Sequence, residues 1–215
     1  MTTWEGEGVS DLHCPATLLV ARHGDAEYPH AKVLSDDGGW LTDKGKVQVR
    51  ELAESLRSRN IAGVWTSRLQ RAVESGVIAA EVLGVESRAV DGLEEFSVGA
   101  LAGRAHDDPE LAGVFEAWKA GHLGTFIPGG ESGEEVLERY RGALEEIADQ
   151  HRGESVLVFT HGGVMSFCLP RMGRNVRNDL AAKRYLPNCA VAEISIDGDD
   201  VLVNSWPGSA DRSVV

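Results

Sequence analysis

The chain has 215 residues, 21 of them Lys or Arg and 34 Asp or Glu, for a formal net charge of −13 at pH 7. A field of that sign repels polyanions, so non-specific binding to nucleic acid or to an anionic membrane is disfavoured, and an anionic ligand must meet a local basic pocket. With 42% hydrophobic and 26% charged residues, the composition is that of an ordinary folded protein, one generous domain and not comfortably two.

Residues 1–15 are polar and acidic, without the basic and apolar regions of an export signal, and no later apolar run approaches a membrane span. Cys14, Cys168 and Cys189 show no C-x-x-C spacing, which argues against a disulfide scaffold and a zinc cluster; a cytoplasmic setting with no metal and no cofactor is expected. One domain over 16–206 is expected between loose ends at 1–15 and 207–215.

Thr17–Ala21 (TLLVA) is a short apolar run that ends abruptly in Arg22-His23-Gly24, the pattern of a buried strand entering a loop. Thr42 caps a helix carrying Val47, Leu52, Ala53 and Leu56 to about Arg59. Ile61–Thr66 reads as a second strand, and Leu69–Leu83, with Val73, Val77, Ile78 and Val82, as a helix closed by Gly84. The rhythm breaks over 97–130, where Gly-rich pieces surround a short helix at Pro109–Lys119; this stretch is a candidate substrate lid. Glu131–Gln150 is an amphipathic helix, Ser155–Thr160 a buried strand, and a further helix follows from about Gly163. Cys189–Ile196 and Val201–Trp206 read as paired strands joined through Asp197-Gly198-Asp199. The alternation predicts an α/β fold, a three-layer αβα sandwich around a mostly parallel sheet.

In such a sheet, ligands sit beyond the carboxyl ends of the strands. Three strand ends here lead into Arg22-His23-Gly24, Ser67-Arg68-Leu69-Gln70-Arg71 and His161-Gly162-Gly163. Arginine forks match phosphate oxygens, imidazole supplies a nucleophile or a donor, and a helix N-terminus adds backbone N–H groups, so the combination suits a phosphoryl group better than a carboxylate. Gly162 and Gly163 would let the chain approach the ligand closely.

On these residues the sequence resembles the histidine phosphatase superfamily, also called the phosphoglycerate-mutase-like family. The matching blocks are LLVARHG at 18–24, LTDKG at 41–45, SRLQRA at 67–72, LEEFSVGALAG at 93–103, PGGES at 128–132 and VFTHGG at 158–163. The resemblance implies that His23 attacks phosphorus and becomes a phosphohistidine that water hydrolyses. It implies that Arg22, Arg71 and His161, with Gly162, hold the phosphoryl oxygens, and that Glu95, not Glu94, protonates the leaving oxygen and then takes a proton from water. No metal is needed on this reading.

Three departures bear on function. Asp25-Ala26-Glu27-Tyr28-Pro29 replaces the mutases' Glu-Ser-x-x-Asn, the connection from Gly103 to Pro128 is short as in the family's phosphatases, and Arg68 and Ser75 replace a proline and a threonine, with Arg68 expected to face solvent. A phosphomonoesterase acting on a small cytoplasmic phosphate ester is therefore expected. The alternatives are a phosphoglycerate mutase, a phosphohistidine-protein phosphatase and a non-catalytic phosphate-binding protein. His13, His30, His106, His122 and His151 read as structural, Arg57, Arg59, Arg139, Arg141 and Arg152 as helix-surface residues, and Cys168 and Cys189 as inert packing. Trp118 and Phe126 are lid candidates for substrate contact.

Overall fold

The computed structural model describes residues 14–30, 32–181 and 186–207. The expected loose ends lie outside the described residues except for Cys14, Pro15 and Pro207. Strand β1 (Ala16–Arg22) is the buried first strand, and beyond it β2 (Ala26–Glu27) and β3 (Trp40–Leu41) form a small antiparallel pair. Helix α1 (Asp43–Ser55) begins where the Thr42 hydroxyl accepts the Gly45 N–H at 3.0 Å. It stops short of Arg59, because a 3₁₀ turn over Arg57–Arg59 takes the chain to Asn60 at φ 49°. Strand β4 (Ile61–Thr66) and helix α2 (Gln70–Leu83) follow, and the helix is closed by Gly84 at φ 74°.

After the short strand β5 (Ser87–Ala89), the 97–130 segment contains a 3₁₀ turn at Gly99–Leu101 and helix α3 (Pro109–Lys119), capped by Asp108. Helix α4 (Gly133–Gln150) starts with a capping box between Ser132 and Glu135, and β6 (Ser155–Thr160), α5 (Gly162–Met172), β7 (Val191–Asp197) and β8 (Asp200–Ser205) complete the chain.

The main sheet of the described residues runs β5-β4-β6-β1-β7-β8. Its first four strands are mutually parallel, and β7 and β8 are antiparallel additions at one side. Side chains alternate across it. Leu18, Val20, Val156 and Val158 pack on the side of α4 and α5 with Leu144, Ile147 and Met165, while Leu19, Ala21, Leu157 and Phe159 pack on the side of α1 and α2 with Val49, Ala53 and Ala79. Each large apolar side chain so removed from water contributes roughly 1.5–3 kcal/mol. Both faces are covered, which is why β1 and β6 read as continuous apolar runs.

The helix periodicity misplaced two side chains. Val47 and Val77 are exposed, because α1 and α2 turn their small residues inward, Gly45 and Ala53 on α1 and Ala72, Gly76 and Ala79 on α2, so that the helices sit close to the sheet and to each other.

Candidate active site

The parallel register assembles the site. Arg22 lies opposite Thr160 across β1 and β6, and Thr66 opposite Phe159 across β4 and β6, so one residue further along the chain His23, Ser67 and His161 emerge at the same sheet edge. Backbone bonds hold that register past the strands: His23 N–H donates to Thr160 C=O and Ser67 N–H to Phe159 C=O, each at 3.0 Å. The His23 and His161 rings lie 5.3 Å apart between centroids, and both residues are buried.

His23 has a fixed tautomer. Its Nδ1–H donates to the Gly24 carbonyl at 2.7 Å, which leaves Nε2 with a free lone pair, and Arg71 Nε donates to that lone pair at 3.1 Å. Burial, with the Arg71 and Arg22 charges beside it, pushes the His23 pKa down to about 3, so the ring is neutral across the physiological range. His161 is likewise held well below the usual histidine range, by burial first and then by Arg71. Its Nε2 pairs with Ser67 Oγ at 2.6 Å, whereas its buried Nδ1 has no partner among the described residues.

Arg71 sits in the first turn of α2, with its guanidinium 5.4 Å from the Tyr28 ring centre and donating to Gly38 C=O at 2.5 Å. Arg22 donates to Leu186 C=O at 2.8 Å. Ser75, noted in the sequence only as a departure, accepts the Gly24 N–H at 3.2 Å and donates to Arg71 C=O at 2.7 Å, tying the loop after His23 to the helix that carries Arg71.

Glu95 reaches the same edge from the loop after β5. Its carboxylate accepts the Gly163 and Val164 N–H groups at the start of α5, both at 2.8 Å, and Phe96 N–H at 3.3 Å. Burial raises its pKa above the ordinary glutamate range, against the opposing pull of these N–H donors and of Arg71. Gly163 and Val164 at the start of α5 therefore hold Glu95. The glycines follow suit. A Cβ at Gly163 would lie 2.5 Å from Glu95 Oε1, and one at Gly162 would lie 3.1 Å from Arg22 Cδ, so the space they leave is filled by protein side chains. Glu94 is turned away, accepting the Arg68 and Gly92 N–H groups.

A family model described as "Histidine phosphatase superfamily (branch 1)" matches residues 18–207. The chain belongs to this superfamily. It is 29% identical over 200 residues to phosphoglycerate mutase-like protein 4 of Arabidopsis thaliana, covering 89% of this chain and 84% of the relative. It is 28% identical over 198 residues to the metal-independent phosphoserine phosphatase of Arabidopsis thaliana, covering 88% and 80% respectively. A mycobacterial glucosyl-3-phosphoglycerate phosphatase shares the fold, with a TM-score of 0.74 at 23% identity over 91% of this chain and 100% of that one. Among the described residues, no helix is long and apolar enough to cross a membrane, and no group of three or more His, Cys, Asp or Glu is placed to share a metal ion.

In this histidine phosphatase superfamily member the sequence reading missed Arg139. Helix periodicity put it on a surface; the structure makes it a clamp on the loop that carries Glu95. Its guanidinium donates to Gly92 C=O and Glu94 C=O, both at 2.8 Å, and to Glu95 C=O at 3.4 Å. Glu131 of the PGGES block holds it from the other side at 2.5 and 3.0 Å, and Thr160 Oγ1 fixes the same loop through Leu93 C=O at 2.6 Å. An Arg-Glu pair eight residues apart, spanning a loop and a helix, carries no helical-pair signal, so nothing in the local sequence pointed to it. With Glu95 as the acid that the family resemblance implies, Arg139→Gln is expected to lower kcat by about 10-fold or more on alkyl phosphates while KM moves little, since an acid displaced by even an ångström loses its alignment. Steady-state kinetics of both parameters checks this; equal losses on alkyl and aryl esters would make Arg139 a merely structural residue.

Four other expectations resolve here. Arg68 faces solvent, paired with Asp91. Trp118 is buried, its indole donating to Thr125 C=O at 2.7 Å among Phe96, Phe115 and Phe167, while Phe126 is exposed, and neither lines the cavity beside the site. His151 is structural, bonded to Trp65 and Glu154, whereas His13 lies outside the described residues. His30 and His106 are exposed and line the cavity. Cys168 is buried and its thiol pushed up by burial; burial likewise raises Cys189, to about 12, so both are poor thiolates.

That cavity measures about 660 Å³ and shares Arg71 and Glu95 with the site around His23 and His161. Its walls are two segments stitched together: Leu34 N–H donates to Arg104 C=O and Gly103 N–H to Leu34 C=O, both at 2.8 Å, and Asp36 accepts Ser97 Oγ and Val98 N–H, both at 2.7 Å. The 97–130 segment thus contributes a wall through Ser97, Val98 and His106 and through Leu111 of α3.

Proposed function

We propose that this protein is a phosphomonoesterase that hydrolyses a small phosphate ester without a metal ion, through a phosphohistidine on His23. The observation that carries the reading is the orientation of His23: Nδ1–H is anchored on Gly24 C=O, and the unprotonated Nε2 meets Arg71 Nε at 3.1 Å, with the His161 ring 5.3 Å away and the Arg22 charge acting on the ring.

On this reading Nε2 attacks phosphorus in line while the bond from phosphorus to the ester oxygen breaks, and the proton of Glu95 passes to that oxygen. Arg71, whose Nε caps the nucleophile's lone pair in the unliganded site, turns its donors to the phosphoryl oxygens as they arrive. His161 Nδ1, otherwise a buried donor without a partner, takes one of them; Ser67 fixes that tautomer by donating to Nε2 while its oxygen accepts Leu69 N–H at 3.4 Å. In the second half a water attacks phosphorus, the P–N bond breaks, and the water's proton goes to the Glu95 carboxylate. Phosphate leaves and the starting protonation states are restored.

Hydrolysis is preferred to mutase transfer because Asp25, at the place of the mutases' glutamate, is spent on α1. Its carboxylate accepts Thr42 Oγ1 at 2.8 Å and its N–H donates to Gln48 at 2.9 Å. The proposal also draws on the relative named a metal-independent phosphoserine phosphatase. The test is phosphate release from a panel of phosphomonoesters in EDTA. Release that resists EDTA and passes through an acid-labile phosphoenzyme supports the reading. Loss of release in EDTA removes metal independence, and isomerisation of phosphoglycerate primed by the bisphosphate, without net release, makes the protein a mutase.

A further inference from the structure

The cavity beside the phosphoryl site is ill suited to a three-carbon ester. Its volume, about 660 Å³, lies in the range that encloses drug-sized ligands, and Tyr28, Leu34, Leu69, Phe96, Val98 and Leu111 make much of its wall apolar. Besides Arg71, which it shares with the His23 site, its basic residues are His30, Lys32 and His106, all exposed.

Lys32 stands out on two independent counts. In a chain of net charge −13, the other described lysines, Lys44, Lys46 and Lys119, are each paired with a carboxylate, yet among the described residues no carboxylate lies within ion-pair distance of Lys32. Its backbone also sits at φ 68°, a left-handed conformation that non-glycine residues rarely adopt, held there by its carbonyl accepting His106 N–H at 3.0 Å. Of the acids that line the cavity with it, Asp36 accepts Ser97 Oγ and Val98 N–H, Glu94 accepts the Arg68 and Gly92 N–H groups, and Asp37 is exposed.

We infer that the ester cleaved here has an apolar, ring-sized body that fills this cavity and a second anionic group at its far end, received by Lys32 with ring N–H donors from His30 and His106. The inference rests on the phosphatase reading for the scissile end and adds the leaving group's chemistry. A carboxylate and a second phosphoryl group are equivalent at this level.

The test uses phenyl and biphenyl phosphates, each unsubstituted or bearing a distal carboxylate, phosphonate or ammonium group, with phosphoserine and phosphoglycerate alongside. The wild type is compared with Lys32→Met and Lys32→Glu. The readout is the ratio of kcat/KM for the charged ester to that for its unsubstituted parent, compared between proteins so that intrinsic leaving-group reactivity cancels. Lys32→Met is expected to lower the ratio for anionic esters by about fivefold, the scale of one exposed charge pair, and Lys32→Glu to invert the preference toward the ammonium ester. The carboxylate and phosphonate arms show which anion is preferred. The same ratios in all three proteins would overturn the inference, as would phosphoserine or phosphoglycerate outrunning every aryl ester. Calorimetric binding of the matching arylmethylphosphonates separates the two readings. Anion selection that is lost in Lys32→Met, in a protein that hydrolyses no ester, upholds this inference while the phosphatase reading fails; binding without selection overturns it.

Discussion

His23→Asn is expected to reduce phosphate release by at least about 10⁴-fold and to abolish acid-labile labelling of the protein, because the proposed phosphohistidine forms on His23 Nε2 and the neighbouring imidazole is not placed to replace it. His161, the only other histidine at this sheet edge among the described residues, is fully buried, and its Nε2 is committed to Ser67. Residual phosphoenzyme in His23→Asn would move the nucleophile elsewhere. The same residue carries a pH signature. Its folded pKa, about 3, lies below the ordinary 6.5, so the fold favours the neutral ring, and that contribution to stability is complete above pH 6.5 and lost as pH falls toward 3. At one pKa unit per 1.36 kcal/mol the loss reaches about 2 kcal/mol by pH 5. His161, also depressed, acts in the same direction. Thermal unfolding of the wild type should therefore weaken from pH 7 to pH 5 more steeply than that of His23→Asn. The His23 ring signals in proton NMR should not titrate over that interval; titration near 6.5 would contradict the burial and the flanking arginines together.

What the sequence made legible follows from where information is local. Strands β4 and β6 and helix α3 match their predicted bounds because a short apolar run bounded by polar residues, or a Pro-started segment, is decided by its own residues. The strand-end residues His23, Arg22, Arg71 and His161 were legible for the same reason, since a parallel sheet brings successive strand ends to one edge. The two-residue strands β2 and β3 and the polar β5 were not, as their pairing is decided by what lies beside them. Nor was the service of the α5 N-terminus. A pair of glycines after a strand announces close approach, but only the fold says that Arg22 and Glu95 come close. Arg139 was hidden in the same way, by a partner set spread over three carbonyls of a distant loop.

Glu95→Gln is expected to lower kcat/KM on alkyl phosphates by about 10²–10⁴-fold and on activated aryl phosphates by less than about 10-fold, because an alkoxide cannot depart without a proton whereas a stabilised phenolate can. Plotted against leaving-group pKa, rates should stay nearly flat in the wild type and fall steeply in the variant. That slope guards against a trivial cause. The side-chain amide of the variant cannot accept both α5 N–H groups that the carboxylate now receives, and the resulting loss of stability would lower all rates together without tilting the line. The pH dependence has a definite sign. Burial holds the Glu95 carboxyl protonated above its ordinary range, and the incoming phosphate charge raises it further, so wild-type kcat on alkyl esters should decline as pH rises through that pKa, and Glu95→Gln should lose this limb. The second half-reaction supplies the sharpest contrast. Without a carboxylate to take a proton from water, the variant given an aryl phosphate should release one phenolate per site in a burst and then stall as phosphohistidine. A burst with trapped phosphoenzyme places Glu95 in both steps. A parallel leaving-group line with no burst would leave it a structural cap on α5, and the proton would have to come from solvent through the open cavity.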